Sequence, residues 1–569
     1  MPVKTKRQEV TYSDDLTTSL ADGTVLGASV WRPAKSGKYP VILFRTPYNR
    51  QHGEDFIYAQ ASWYASHGFA VVVQDVRGRW GSSGDFDPFF HEGDDGFAAV
   101  EWAASLPFSN GAVAMSGMSY PGFAQFQAAG KRPPALRAIA PMLATPNPYE
   151  GWTYNGGAFS LAFNVSWATF LGMDRARRAG DATAEMELAR RFADGRLPYD
   201  HLPLATFPGL AEHAPFFFDW LRHPGYDDYW AARDATPALD DADVASFCIA
   251  GLYDVFLEGS IEGHRRLRRS PGGAKGSVLR LMPWWHFPPG RYVGACDFGP
   301  AATRDWLDVE LLAFFSQHLR DDDPLQRPEI LSFVTGANRL EAFTEWPPPS
   351  TDVVLYVHAD RGANSLNGDG RLSHEEPAPD AWPDRFTYDP AAPVPSLGGR
   401  SCCFPHVAPL GPADQRPVEL LNGVLVYTSE ELRDDLFVAG MARFVLHAAS
   451  SAPATDWTVK ICDVHPDGTA LNIQETIRRV STLPDGRREV EAGEAGRFEL
   501  EVGTLCHVFK KAHRIRVEIS SSNFPHWDRN LNTGNPLGSD LLADRIVATQ
   551  TVFHDAARPT HLVLPVVEQ

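Results

Sequence analysis

Apolar and polar positions follow two different rhythms along the chain. Between residues 41 and 142, short apolar runs rich in Val, Ile and Ala alternate with segments of helical periodicity. The stretches 41–44, 70–74, 112–115 and 138–142 read as buried strands, and 57–67, 94–106 and 123–129 as amphipathic helices. Strand and helix in strict alternation imply right-handed crossovers and a mostly parallel sheet covered on both faces. The rhythm lapses near residue 145 and resumes near Val244. There 246–251 and 277–281 read as strands, and 258–269 and 306–319 as helices. The intervening stretch, 146–240, is aromatic-rich and helix-like, with Phe216, Phe217 and Phe218 in a row, and is expected to be a helical insertion. Beyond Trp346-Pro-Pro-Pro349 the period becomes two. Runs at 353–357, 424–428, 457–463, 497–501 and 515–519, parted by turns such as His465-Pro-Asp-Gly468, predict a β-sandwich of jelly-roll type.

Composition narrows the function classes. The 569 residues carry 52 Lys and Arg against 71 Asp and Glu, a net charge of −19. So acidic a chain repels phosphate backbones and anionic lipid, which argues against nucleic-acid and membrane-surface partners. A hydrophobic share of 44% with 22% charged residues is that of an ordinary globular protein. The 6 cysteines show no C-x-x-C spacing and fit a reducing compartment better than a disulfide scaffold. The polar N-terminus has no secretory pattern, and no apolar run is long enough for a spanning helix. A cytoplasmic protein is expected.

The sharpest chemical feature is Gly117-Met-Ser119-Tyr120-Pro121-Gly122, between the strand 112–115 and the helix near Phe123. Strand, tight glycine turn, Ser and helix is the context of a nucleophile elbow, although the second glycine falls one residue later than in G-x-S-x-G. A nucleophilic Ser needs a base and an acid to orient it, in the order Ser, Asp, His for this layout. Asp254 follows one strand in Gly251-Leu-Tyr-Asp254, and His286 follows the next in Pro283-Trp-Trp-His286. Both fall on the sheet edge that carries Ser119. The oxyanion hole would take the N–H of Tyr120 and a second donor from the loop Arg45-Thr-Pro-Tyr48. The Tyr48 hydroxyl is the candidate there, with simple packing as the other reading. Asp75-Val-Arg-Gly78 with Gly81-Ser-Ser-Gly84 lacks a P-loop lysine and reads as a structural turn. His91-Glu92 with Asp94-Asp95 reads as the acidic start of a helix rather than a metal site.

With these residues in place, the chain resembles the cocaine-esterase-like (CocE/NonD) hydrolases, relatives of the X-Pro dipeptidyl-peptidases and α-amino-acid ester hydrolases. The matching motifs include Arg45-Thr-Pro-Tyr48, Gly117-Met-Ser-Tyr120, Gly251-Leu-Tyr-Asp254 and Pro283-Trp-Trp-His286. In the last region Asp414-Gln-Arg-Pro417, Thr455-Asp-Trp457 and His513-Arg-Ile-Arg516 also match. The resemblance implies an α/β fold with an α/β-hydrolase core (1–145 and 241–350), a helical cap (146–240) and a C-terminal jelly roll (351–569). It implies Ser119 as nucleophile, His286 as base, Asp254 as its partner, and Tyr48 with Tyr120 as the oxyanion hole. It also suggests Trp152, Trp167, Phe256 and Phe404 as substrate-binding aromatics. Val255, Phe256 and Leu257 stand where α-amino-acid ester hydrolases carry acidic residues, and there is no room for the N-terminal domain of X-Pro dipeptidyl-peptidases. The expected activity is serine-dependent hydrolysis of small carboxylic esters through an acyl-enzyme, with no metal or cofactor and with a homodimer left open. An amidase, acylase or dipeptidyl-peptidase with the same residues is the alternative, and a ligand-binding protein with a vestigial triad is a further one.

Overall fold

The computed structural model describes residues 7–52, 60–194, 197–287, 290–320, 322, 327–403, 410–480 and 489–568. Among these residues the N-terminal part is built on a ten-stranded sheet. The first six strands are β1 (Val10–Ser19), β2 (Val25–Pro33), β3 (Tyr39–Thr46), β4 (Ala70–Asp75), β5 (Ser109–Met118) and β6 (Leu136–Met142). A two-stranded hairpin, β7 (Tyr154–Asn155) and β8 (Ala158–Phe159), precedes β9 (Ala245–Gly251) and β10 (Ser277–Met282). A second small hairpin, β11 (Tyr292–Val293) and β12 (Cys296–Asp297), precedes β13 (Ile330–Val334) and β14 (Arg339–Phe343). The order across the large sheet is β1-β2-β4-β3-β5-β6-β9-β10-β13-β14.

From β4 to β13 every neighbouring pair is parallel. All residues of β4, β9 and β10 are buried, as strands covered on both faces require. The antiparallel margins, β1-β2-β4 and β13-β14, were not expected from the hydrophobic pattern. Edge strands bury one face at most, and the burial of β1 and β14 is correspondingly broken. Strand β3 lies between β4 and β5, so the winding reverses there. A crevice opens at such a reversal, outside the strands' carboxyl ends. Tyr48 and Ser119 both leave the sheet at that point.

Helices α1 (Ala61–Ser66), α2 (Glu92–Ser105) and α3 (Tyr120–Lys131) lie where helices were predicted, while residues 57–59 of the first prediction fall outside the described residues. Helix α3 starts three positions earlier than the pattern suggested. Pro121 has no N–H to satisfy in a first turn, and the Ser119 carbonyl accepts the Gly122 and Phe123 N–H groups at 2.7 and 2.9 Å. The stretch after β6 holds α4 (Leu161–Arg178), α5 (Ala182–Ala193), α6 (Phe216–Arg222) and α7 (Asp228–Ala231). Helix α4 is buried along most of its length, whereas Leu188 is the buried residue of α5. Helices α8 (Leu257–Arg269) and α9 (Leu307–Arg320) complete the cover of the sheet.

The C-terminal domain is β-rich, with twelve strands among the described residues in one hydrogen-bonded system that begins at β15 (Thr351–His358) and ends at β26 (His561–Val566). Its longest member, residues 436–450, pairs with three other strands and shifts register between Ala442 and Arg443. A bulge of this kind bends a strand so that one chain can serve two partners. The core holds Trp457, Phe444, Phe498 and Ile519. Cys402 and Cys403 are joined by a disulfide, a pairing the absence of C-x-x-C spacing did not suggest, and Cys248, Cys296, Cys462 and Cys506 are free. Among the described residues no helix is long and apolar enough to cross a membrane.

Candidate active site

Ser119 sits at the tip of the turn between β5 and α3, with φ +65° and ψ −128°. That conformation is costly for any residue with a Cβ and persists only where the surroundings impose it. Here the surroundings are close. The Ser119 N–H donates to the Met142 carbonyl at 3.0 Å. A Cβ on Gly122 would lie 2.5 Å from the Cβ of Ala144, and one on Gly117 would lie 2.5 Å from that of Pro121. The second glycine therefore serves close packing of α3 on the end of β6, which explains its displaced position in the motif. Gln125, fully buried, ties the same parts together. Its Nε2 donates to the Gly117 and Pro121 carbonyls at 3.1 and 3.0 Å, and its Oε1 accepts the Ala140 N–H at 2.8 Å.

Asp254 and His286 leave the ends of β9 and β10. These loops are stitched to each other: Leu252 N–H donates to Met282 O at 2.7 Å and Tyr253 N–H to Trp284 O at 3.0 Å. Gly251 permits this, because a Cβ there would meet Trp284 O at 2.5 Å. The Trp284 indole is anchored on the Ala302 carbonyl at 2.7 Å. The result is a buried contact of 2.6 Å between His286 Nδ1 and Asp254 Oδ2. The other carboxylate oxygen accepts the Phe256 N–H at 2.7 Å. Asp254 is 0% and His286 2% exposed, so the pair is shielded from bulk water. With Nδ1 committed to Asp254, Nε2 is the ring nitrogen left for chemistry.

Tyr48 leaves the end of β3 on a loop held from beneath. Arg79 Nε and the Trp80 indole N–H both donate to the Pro47 carbonyl, at 3.1 and 3.0 Å, and Arg79 also reaches the Leu171 carbonyl on α4 at 2.8 Å. The turn after Asp75 is thus a brace for the Tyr48 loop rather than a phosphate cradle. The Tyr48 hydroxyl accepts the Trp167 indole N–H at 3.2 Å. Burial pushes this phenol up to about 12, so the proton stays on oxygen at neutral pH.

Tyr120, the other residue proposed for the oxyanion hole, presents its backbone N–H at the first position of α3, where helix N–H groups have no partner within the helix. Its side chain points into a buried polar knot. The phenol donates to Glu92 Oε1 at 3.0 Å and accepts the Phe89 N–H at 3.1 Å, and Glu92 is paired with the fully buried Arg45. Burial raises both the Glu92 carboxyl and the Tyr120 phenol above their ordinary ranges. The reading of Glu92, Asp94 and Asp95 as helix-start residues fits their place in the first turn of α2. The pairing with Arg45 and Tyr120 was missed. A single Arg ending an apolar strand and a Glu opening a helix were the available signals, but nothing in the spacing couples them. Gln125 was missed for the same reason.

Trp152, Trp167 and Phe256 all belong to one aromatic cluster beside the candidate triad. Trp152 and Phe256 are 4.5 Å apart by ring centroid, Trp152 and Trp167 5.3 Å, and Phe256 meets the His286 ring edge-on at 5.1 Å. Phe89 and Phe123 extend the cluster. Phe404 lies outside the described residues. A separate cleft of about 1030 Å³, bounded by Glu150, Glu258, Arg400 and Arg478 among others, is lined by neither Ser119 nor His286.

Comparison with known proteins decides the family. X-Pro dipeptidyl-peptidase (S15 family) matches residues 22–288, and the X-Pro dipeptidyl-peptidase C-terminal non-catalytic domain matches 325–563. Cocaine esterase from Rhodococcus sp. (strain MB1 Bresler) is 33% identical over 567 residues, covering 97% of each chain. The chain belongs to the cocaine-esterase family. Among solved structures, an aminopeptidase from the marine sediment archaeon Thaumarchaeota archaeon superposes with a TM-score of 0.81 at 25% identity, covering 100% of this chain and 98% of that one. An α-amino acid ester hydrolase superposes with a TM-score of 0.80 at 24% identity, covering 98% and 97%, a likeness of fold. The cocaine-esterase family fold, a mixed α/β sheet followed by a β-rich domain, is therefore present from end to end.

Proposed function

We propose that this protein is a serine hydrolase of carboxylic esters. The observation that carries the reading is the buried 2.6 Å contact of His286 with Asp254, together with Ser119 held on a strained turn between β5 and α3. His286 Nε2 takes the Ser119 proton as Oγ attacks the acyl carbon, and Asp254 stabilises the imidazolium without taking its proton. Negative charge then develops on the former carbonyl oxygen. We assign the Tyr120 N–H and the Tyr48 hydroxyl as its donors, and because the Trp167 N–H fills one lone pair of Tyr48, the phenolic proton is left to turn toward the oxyanion. His286 protonates the leaving alcohol, water enters, and the same steps release the acid. The identity with cocaine esterase supports ester chemistry, and the aromatic cluster favours an apolar acyl group. The net charge of −19 supports small molecules, rather than nucleic acid or membrane surfaces, as substrates.

A second reading, hydrolysis of amides or N-terminal peptide bonds by the same residues, is favoured by the S15 match and the likeness to an aminopeptidase. Matched ester and amide substrates, together with Ser119→Ala, separate the readings. Ester turnover should exceed amide turnover and fall by about four to six orders of magnitude in the variant. Labelling by a fluorophosphonate at Ser119 is expected. Parental ester hydrolysis in Ser119→Ala, or an amide preference in the parent, would overturn the esterase assignment.

A further inference from the structure

The C-terminal domain reaches back to the candidate triad through residues 400–403. Ser401 forms a parallel bridge with Asp254, and Arg400 donates to Glu258 Oε1 at 3.1 Å and to the Glu475 carbonyl at 3.0 Å. This anchoring delivers two adjacent cysteines to the base: one ring nitrogen of His286 and the sulfurs of Cys402 and Cys403 all lie within 4.8 Å of one another. Cys402 is 2% exposed and Cys403 half-buried, its backbone held at φ +68°. The remaining cysteines are unpaired, and burial raises the thiols of Cys248 and Cys506 well above their ordinary value, which makes them poor thiolate donors.

We propose that Cys402, Cys403 and His286, once the disulfide is reduced, form a site for a thiophilic divalent cation of the zinc and cadmium class, and that its occupation silences the hydrolase. Two thiolates and an imidazole are the donor set such ions prefer. A tetrahedral ion with Zn–S near 2.3 Å and Zn–N near 2.0 Å needs donor separations of about 3.5–3.8 Å, within reach of small side-chain rotations from the observed cluster. Asp254 already holds Nδ1, the arrangement by which carboxylates orient metal-binding imidazoles, so the ion takes Nε2. Nε2 is the atom that must accept the Ser119 proton, and the inference rests on that assignment of His286. The disulfide has no thiolate to offer, so oxidation protects the base. In the reductive step a dithiol reductant gives two electrons and two protons to the Cys402–Cys403 bond and leaves as its own disulfide. Cation binding then releases the two thiol protons.

The test compares the parent, reduced with dithiothreitol and freed of it, with its oxidised form and with Cys402→Ser/Cys403→Ser, each titrated with cadmium chloride. Thiolate-to-cadmium charge-transfer absorbance and ester turnover are read together. Reduced parent should develop the band and lose activity in step, with recovery on adding EDTA. The oxidised parent and the double variant should need about tenfold or more cadmium for the same loss. If the double variant folds poorly, Cys403→Ser alone, at the half-buried position, provides the comparison, with its turnover before cadmium as the folding control. Absence of the band in reduced parent, or equal cadmium sensitivity in reduced parent and variant, would overturn the proposal. A full band with undiminished, Ser119-dependent turnover would overturn the coupling to His286. Turnover unaffected by Ser119→Ala would instead count against the esterase reading and leave the cation site standing.

Discussion

Tyr48→Phe separates a chemical role from a packing role, because it keeps the ring and removes one oxygen. In the native protein that oxygen accepts the Trp167 N–H at 3.2 Å and keeps its proton because burial pushes the phenol up to about 12. A preorganised donor aimed at a developing oxyanion contributes about 3–4 kcal/mol, so kcat should fall roughly 10²- to 10³-fold. The ground-state ester gains little from the same donor, so KM should change far less than kcat. Stability responds differently. The Trp167 N–H loses its acceptor, at a cost of about 1–3 kcal/mol, partly offset because a hydroxyl no longer has to be buried. In a chain this long the melting temperature should move by only about 2 °C. Trp167→Phe removes the indole donor and leaves the Tyr48 proton free to turn away, which should lower kcat by about three- to tenfold. Because that effect passes through the Tyr48 hydroxyl, the double variant should be no slower than Tyr48→Phe. Steady-state hydrolysis of p-nitrophenyl acetate suits the measurement, since its small acyl group is insensitive to the reshaped aromatic wall. Near-parental kcat in Tyr48→Phe would refute the reasoning, and additive losses in the double variant would refute the role given to Trp167.

Other outcomes follow from the same geometry. Gly122→Ala places a methyl 2.5 Å from the Ala144 Cβ, so α3 must shift; a loss of about 1–3 kcal/mol in denaturant unfolding and a kcat lowered by about a hundredfold are expected. His264 is buried against Ser277, and burial pushes its imidazole down from 6.5 to about 3. The unfolded chain therefore takes up a proton below its own pKa that the folded chain refuses, and stability present above pH about 6.5 is lost as pH falls toward 3. Between pH about 7 and pH about 5, His264→Asn should lose about 2 kcal/mol less than the parent in chemical denaturation; equal losses would remove His264 from the account. Phenyl-substituted or medium-chain acyl esters should exceed α-amino-acid esters of the same size in kcat/KM, because Val255, Phe256 and Leu257 offer no carboxylate to a substrate ammonium. Faster hydrolysis of phenylglycine methyl ester than of methyl phenylacetate would contradict this.

Much of the protein is determined locally and can be read without coordinates. Strands buried on both faces must be continuously apolar, so β3 to β6, β9 and β10 announce themselves. The positions of Ser119, Asp254 and His286 follow, since each stands in the few residues after one of these strands. Edge strands such as β1 and β14 carry no such constraint, and their mixed burial leaves the pattern ambiguous. What only the tertiary structure decides is partnership across large sequence separations. Arg45, Glu92 and Tyr120 form one buried knot, Gln125 fastens β5 and α3 to β6, and Trp167 on α4 sets the state of the Tyr48 hydroxyl. Hydrogen bonds of this kind leave no periodicity, because each needs one donor and one acceptor and neither dictates its neighbours. The meeting of Cys402 and Cys403 with His286 is the extreme case: it exists only because the C-terminal domain docks against the loop that carries Asp254.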